Sequence, residues 1–281
     1  MHSKFRFLVL GLLAIGWIAF LQSPSHAEEG ADANCRLIVD AKTGKVLVKQ
    51  GPCDVQRTPC STFKFPLALM GYDAGILKNE HEPKWDYLPE YDGNREEEKQ
   101  AIDPTSWESI SVLWYSRKLV KLMGSEKFES YVNKFDYGNK DISGDPGKDN
   151  GLTQSWVMSS LKISPLEQLA FVQKFMKREL GVSEYAYEMT EKILPKFEAE
   201  DGWIIQGKTG SGFQFNDDGS WNRKLHEGWF VGWATQGERK VIIIETTYDT
   251  QPSTEYAGLR SRARIIKELP GVMKGLGEKK Q

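Results

Sequence analysis

Apolar positions along the chain change their spacing three times. An alternating stretch comes first: Cys35 to Asp40 and Lys45 to Gln50 read as two strands of a hairpin, turning through Lys42–Gly44. Helical spacing follows. Ser61 to Leu77 carries Phe63, Leu67, Met70, Ala74 and Leu77, with Pro66 in the first turn where proline is tolerated. Trp107 to Leu122 and Glu126 to Phe135 repeat the pattern, the latter with Phe128, Tyr131 and Val132 facing inward. Ser164-Pro165-Leu166-Glu167 is a capping box opening a helix that runs to Leu180 and stops at Gly181. Ser183 to Leu194 predicts one more short helix. After Pro195 the spacing reverts. Gly202 to Gly207, Gly228 to Thr235 and Val241 to Thr247 are rich in Ile, Val and Trp and read as strands, and a last helix is expected over Glu255 to Leu269. Asp86 to Asp103 and Tyr137 to Gly151 are polar and read as loops, with Glu96-Glu97-Glu98-Lys99 as a solvated face.

The order is strands, helices, strands, helix. Early and late strands can share one sheet, and the helical stretch then packs beside it. This predicts an α+β fold with a mixed, largely antiparallel sheet flanked by helices, plus an all-helical lobe. The sheet lobe would take about residues 28–60 and 195–281, the helical lobe about 61–194, and the cleft between them is where a site belongs.

The start of the chain modifies this picture. Lys4 and Arg6 precede an apolar run of 14 residues, Leu8 to Leu21, and Ser25-His26-Ala27 suits cleavage by a signal peptidase. That run is too short to span a bilayer. Residues 1–27 therefore read as a signal peptide and 28–281 as a single domain, exported across the inner membrane to the periplasm. Without residues 1–27 the chain has 254 residues, with 35 basic against 39 acidic side chains and a net charge of −4. That balance points to neither nucleic acid nor a stable membrane association. Three cysteines fit an oxidising compartment with one left over. Cys35–Cys53 and Cys53–Cys60 are both open as pairings. Only His81 and His226 remain after the leader, both expected at the surface, and neither sits in a metal or triad motif, so no metal is expected.

The chemistry concentrates in short motifs. Ser61-Thr62-Phe63-Lys64 sets a hydroxyl and an amine one helical turn apart, next to free backbone N–H groups that favour developing negative charge. The motif recurs as Ser159-Ser160-Leu161-Lys162, and Lys-Thr-Gly occurs both at Lys42–Gly44 and at Lys208–Gly210, so each copy alone is weak. Order and spacing add weight. Ser61-Thr62-Phe63-Lys64 is followed by Ser111-Val112-Leu113 on a helical stretch, by Tyr137-Gly138-Asn139 in a loop, by Trp156 ahead of Leu161–Ser164, and by Lys208-Thr209-Gly210 on a late strand.

This set resembles the class D serine β-lactamases, over roughly Cys60 to Lys267. The phrases Phe135–Asn139 and Gly228–Gly232 are similar to that family as well. The resemblance implies hydrolysis of β-lactam antibiotics, penicillins and some cephalosporins, and so resistance to them. Ser61 would be the nucleophile. Lys64 would be the general base, carboxylated on its amine by CO2 or bicarbonate, the only cofactor implied. A free lysine amine, with a pKa near about 10.4, is a poor base while protonated. A carbamate is anionic at neutral pH and forms on the neutral amine, which an apolar pocket favours. Phe63, Val112, Leu113 and Trp156 are the candidates for that pocket, with the Trp156 N–H holding the carbamate. Ser111 would pass the proton toward the lactam nitrogen and Lys208 would add positive charge. The backbone N–H groups of Ser61 and Ser211 would form the oxyanion hole. Thr209, Gly210 and Ser211 would line the substrate strand, and Arg262 would grip the substrate carboxylate, with Arg260 and Arg264 as competitors. Tyr137 and Asn139 would support the cleft.

Leu113 departs from the family, which has Val or Ile there, at the place where the deacylating water approaches. The class A pattern fits less well, because its middle element is Ser-Asp-Asn. Two other readings share the motifs: a penicillin-binding enzyme of cell-wall synthesis, or a β-lactam sensor domain, either of which would acylate without turnover. The chain is expected to act as a monomer or homodimer on small β-lactam molecules.

Overall fold

The computed structural model describes residues 33–278. The expected leader, residues 1–27, lies outside the described residues. One six-stranded sheet is built from β1 (Arg36–Asp40), β2 (Val46–Gln50), β3 (Lys196–Glu198), β4 (Ile204–Phe215), β5 (Trp221–Gln236) and β6 (Arg239–Tyr248). Its strand order is β2-β1-β6-β5-β4-β3, and every neighbouring pair is antiparallel. The two ends of the chain thus meet in one sheet through β1 and β6, as the pattern predicted.

Both faces of the sheet are covered, and the period-2 alternation of β6 shows how. Val241 and Ile243 point into a cluster with Ile265, Leu269 and Met273 of the terminal helix α8 (Ala257–Glu278). Ile242 and Ile244 point the other way, into the main core beneath the helical lobe. That lobe comprises α1 (Lys64–Asp73), α2 (Pro104–Ile110), α3 (Leu113–Met123), α4 (Ser125–Lys134), α5 (Gly151–Gln154), α6 (Pro165–Met176) and α7 (Glu184–Ile193). The first of these, α1, is its axle: every residue from Lys64 to Tyr72 is buried, so the helix has no solvent face. A lysine at its first position is therefore carried into the core between helices and sheet.

Several local predictions hold at the level of atoms. Ser164 accepts from the Glu167 N–H and Glu167 accepts from the Ser164 N–H, closing the capping box. Around Lys42–Gly44, Asp40 accepts from Thr43, and Gly44 sits at φ 72°, which makes this Lys-Thr-Gly a turn. The second Ser-x-x-Lys is structural as well: Ser159 donates to Asp145 and Ser160 to the Asp141 carbonyl.

Other boundaries move for physical reasons. The stretch from Trp107 is two helices, because Ser111 adopts a left-handed conformation at φ 67° and ends α2 before Val112 restarts the chain into α3. Ser111 is therefore a helix break and not a helical residue. The expected helix at Ser61 begins as a 3-10 turn, Cys60–Phe63, before α1 takes over. The helix opened by the Ser164 capping box, α6, stops at Met176, short of Leu180. The last helix runs through Pro270 because Met273 still packs on the sheet. Strands β4 and β5 extend beyond their apolar runs into a hairpin reaching Phe215 and Trp221. A bulge between Ile38 and Val39 shifts the register of the first hairpin, so Arg36 faces Gln50. Cys35 is bonded to Cys53, and Cys60 is free and buried.

Two surface expectations are corrected. His226 is 4% exposed, with its ring stacked on Tyr256 and near Phe213, and its Nδ1 pairs with the Glu255 carbonyl. Glu98, read as part of a solvated run, is 5% exposed and holds Arg95 and the Asn94 N–H. A strand partner and a loop that folds back onto the site put both residues inside.

Candidate active site

Ser61 sits on the 3-10 turn just before α1, and the preceding Cys60 is held at φ 49°, in the left-handed region. The turn aims the hydroxyl at the amine of Lys64: Nζ lies 3.2 Å from Ser61 Oγ. A matching pair comes from the other lobe. Lys208 of β4 donates to Ser111 Oγ at 2.9 Å, across 97 residues of sequence. Ser61, Ser111, Thr209 and Ser211 all line one cleft between the lobes.

Two close approaches make this possible. A side chain at Gly210 would bring Cβ to 2.6 Å from the Pro59 carbonyl and 3.0 Å from the Thr62 N–H, so only glycine lets β4 lie against the Ser61 turn. At Gly258, Cβ would fall 2.3 Å from the Gly210 carbonyl, which lets the start of α8 close on β4, where the Gly258 N–H donates to Ser211 Oγ.

The strand edge beside Ser61 is open. β3 covers only Ile204–Gln206 of β4. Gly207 donates its N–H to the Pro195 carbonyl on that side. Peptide groups alternate along a strand, so the N–H and C=O groups of Thr209 and Ser211 face the same open side. That orientation suits an oxyanion hole shared with the Ser61 turn.

The electrostatics of the pocket are those of buried charge. Lys64 is fully buried and Lys208 is 2% exposed. Burial, and then the charge of Lys208, pull the Lys64 amine down to about 7, against the opposing pull of Glu108 and Glu98. Burial likewise lowers Lys208 to about 8, with Glu108 resisting. Glu108, one helical turn before Ser111, is 0% exposed, and burial pushes its carboxyl up to about 7 while the two lysines pull it down. Lys64 is therefore an amine that loses its proton near neutral pH, as a proton acceptor must. By contrast, burial drives the Cys60 thiol up to about 12, which makes it an inert neighbour.

Phe63, next to Lys64 in the chain, sits in an apolar cluster. Trp156 stacks on Phe63 with ring centres 5.4 Å apart, Phe63 meets Phe128 and Tyr137 edge-on, and Val112 is fully buried. The Trp156 indole N–H is buried and has no hydrogen-bond partner. A buried donor without a partner costs about 1–3 kcal/mol. An anionic group added on the buried side of the Ser61 turn would give this donor an acceptor, and the orphaned N–H together with a buried, readily deprotonated Lys64 fits such a group. Leu113 opens α3, half-buried against the same core.

The scan against protein families matches residues 35–271 to the penicillin-binding protein transpeptidase domain. Over 269 residues, 95% of this chain and 98% of the relative, the sequence is 41% identical to β-lactamase OXA-9 of Klebsiella pneumoniae. It is 36% identical to β-lactamase OXA-1 of Escherichia coli over 78% of this chain and 77% of that one. A crystal structure of OXA-427, a class D β-lactamase, superposes with a TM-score of 0.80 at 43% identity, covering 86% of this chain and 99% of that one. This chain belongs to the class D β-lactamases. Its sheet-and-helix architecture is the penicillin-binding transpeptidase fold of that family.

Within this class D site, Ser61, Lys64, Ser111, Lys208, Thr209 and Ser211 converge, and the charge of Arg262 reaches Lys208. The Arg262 guanidinium lies over the Phe197 ring, 4.7 Å from its centre. Arg260 is held in two-pronged fashion by Asp249, and Arg264 by Glu245 and Thr247. Beyond the effect of burial, Arg262 and Arg95 both lower the Lys208 amine by their charge, and Arg95 lines the cleft, braced by Glu98 at 2.6 Å. Asn94, Arg95 and Glu98 come from a loop that the sequence presents as featureless polar chain, and no spacing signal marks them. Glu108 was missed because a glutamate in a helix ordinarily faces water. Tyr137 and Asn139 brace the cleft from behind: Tyr137 accepts from Gln168, and Asn139 ties the loop to the Lys162 backbone in both directions. Gly138 is needed there, at φ 57° with the Lys162 carbonyl 2.0 Å from where Cβ would be.

Proposed function

We propose that this chain hydrolyses penicillins and some cephalosporins through an acyl-enzyme on Ser61, and so confers resistance. The observation that carries the reading is the pair of serine–lysine contacts meeting in one cleft, Ser61 with Lys64 and Ser111 with Lys208.

The residues divide the work as follows. Ser61 Oγ attacks the lactam carbonyl carbon and passes its proton to the Lys64 side chain. Backbone N–H groups of Ser61 and Ser211 hold the oxygen that becomes negative. Ser111 passes that proton on from Lys64 to the lactam nitrogen as the C–N bond breaks, which leaves Lys64 free to act again, and the charge of Lys208 draws the substrate carboxylate. Thr209 and Ser211 hold that carboxylate along the open edge of β4, and Gly210 keeps the strand close. Lys64 then takes a proton from the water that releases the product, and Leu113 borders the path of that water. Carboxylation of the Lys64 amine by CO2 would supply an anionic base at neutral pH, with Trp156 N–H as its donor. Arg262, whose charge reaches Lys208, and Arg95 on the cleft wall are the candidates to hold the substrate carboxylate.

Export is part of the proposal. A leader in residues 1–27 delivers the domain to the periplasm, and the Cys35–Cys53 disulfide suits that oxidising compartment. No helix among the described residues is long and apolar enough to cross a membrane. Cell fractionation with sequencing of the mature N-terminus tests this.

The activity test is hydrolysis of a chromogenic cephalosporin and a penicillin, with and without bicarbonate. Repeated turnover that bicarbonate accelerates is the expected result. A single stoichiometric burst at Ser61 would overturn hydrolysis in favour of a penicillin-binding or sensor role.

A further inference from the structure

Glu108 has no part in the steps above, yet it is the one acidic side chain of the site that is wholly enclosed. It lies on α2, one turn before Ser111, and is 0% exposed. Neither carboxyl oxygen has a hydrogen-bond partner. The charges that act on it are Lys208 of β4 and Lys64 of α1, and Tyr72 of α1 is the phenol that feels its charge. α7, which also packs against α2, carries the buried and unpartnered Thr190 hydroxyl. Arg95 and Glu98, from the loop, act on Lys64 with opposite signs. A lone buried carboxylate without hydrogen bonds is untenable unless a charge partner offsets it or it holds a proton. Here the enclosed cation is Lys208.

We propose that Glu108 carries the negative charge of this pocket while the Lys64 amine is free, and takes up the proton that the amine loses when it is carboxylated. The inference rests on the reading that Lys64 is carboxylated. The step balances. The Lys64 nitrogen lone pair forms the N–C bond to CO2, one C=O electron pair moves onto oxygen, and one N–H proton passes to the Glu108 carboxylate. Before the step the enclosed charges are Lys208 positive, Lys64 neutral and Glu108 negative. Afterwards they are Lys208 positive, the Lys64 carbamate negative and Glu108 neutral. The pocket holds one cation and one anion throughout, so no unpaired charge is buried. Glu108 is thus a positioning residue for the proton and for charge. It competes with the carbamate for the same lysine, and the directions of the three titrations, amines down and carboxyl up, agree with that sharing.

The test uses 13C-bicarbonate and the purified wild-type and Glu108→Gln proteins. Carbamate is read by 13C NMR as a function of bicarbonate and pH, independently of turnover. Glutamine is neutral at every pH, so carboxylation no longer has to discharge Glu108. The variant should then reach half-maximal carbamate at about tenfold less bicarbonate at pH 8, as expected for removing an obligatory protonation about one unit above its midpoint. The gap should narrow toward pH 6. In wild-type protein labelled with 13C-glutamate, an infrared difference spectrum between bicarbonate-loaded and CO2-stripped samples should gain a protonated-carboxyl band. That measurement stands even if Glu108→Gln does not fold. A carbamate signal that a folded Glu108→Gln leaves unchanged overturns the inference, and so does loading without the carboxyl band. No carbamate in the wild type would instead remove the underlying reading of Lys64, and this inference with it.

Discussion

At the residue scale, the site depends on holding an amine where an amine is costly. Unfolded, Lys64 titrates near about 10.4. Folded, burial brings it to about 7. Between those values the unfolded chain binds more protons, so this residue makes the protein less stable at neutral pH and the deficit shrinks as pH rises toward the unfolded value. Lys64→Met should therefore abolish turnover, raise the melting temperature at pH 7 and flatten its rise with pH between 7 and 10, measured by calorimetry. The same shift sets a limit on activity. CO2 reacts with the neutral amine, so under limiting bicarbonate turnover should fall as pH drops below about 7. A rate profile that stays flat down to pH 5.5 would contradict this. Trp156→Phe keeps the ring that stacks on Phe63 but removes the N–H. Loss of a hydrogen bond to a charged group costs about 1.5–3 kcal/mol, so about tenfold more bicarbonate should be needed for half-maximal activity, with little change in melting temperature. Unchanged bicarbonate dependence would mean that the indole is only packing.

At the scale of elements, the chemistry depends on two backbones meeting. The turn bearing Ser61 touches β4 at a position where a single methyl group does not fit. Gly210→Ala should push the strand from the turn, destabilise the fold by about 1–3 kcal/mol as overpacking does, and lower kcat/KM by separating Lys208 and Ser211 from Ser61. Assay of the variant below its melting temperature separates the two effects, and full activity in a folded variant would show that the contact is dispensable. The break at Ser111 belongs to the same scale. A continuous helix from Trp107 to Leu122 would carry Ser111 with its neighbours around the axis. The left-handed residue ends α2 and leaves the hydroxyl beside Lys208.

Across the whole molecule, the sheet unites segments far apart in the chain. β1 pairs with β6, and Cys35 is tied to Cys53 at the edge away from β4. Closing a loop of 18 residues contributes about 3 kcal/mol in the chain-entropy account. Reduction, or a Cys35→Ser and Cys53→Ser pair, should lower the melting temperature while leaving kcat at 25 °C within about twofold, because additive effects between distant sites are small. A large loss of kcat would show that the two edges of the sheet are coupled.

The sequence by itself determined what is local or periodic. The order of strands and helices, the capping box at Ser164, the turn at Lys42–Gly44, and the serine and lysine one turn apart all depend on neighbouring residues, and all of them are legible without a structure. What only the tertiary structure decided are relations between distant segments. Hairpin register at the bulge, the choice of Cys53 as the partner of Cys35, and the burial of His226 and Glu98 depend on what packs across the sheet and cleft. So does the arginine. Arg260, Arg262 and Arg264 are equivalent along the chain, but Asp249 and Glu245 hold the first and last, the charge of Arg262 reaches Lys208, and Arg95 reaches the cleft from a loop without pattern. Glu108 is the clearest instance. A glutamate on a helix reads as solvated, and its role appears only once two lysines from other elements are folded around it, because electrostatics is set by distance in space and not in sequence.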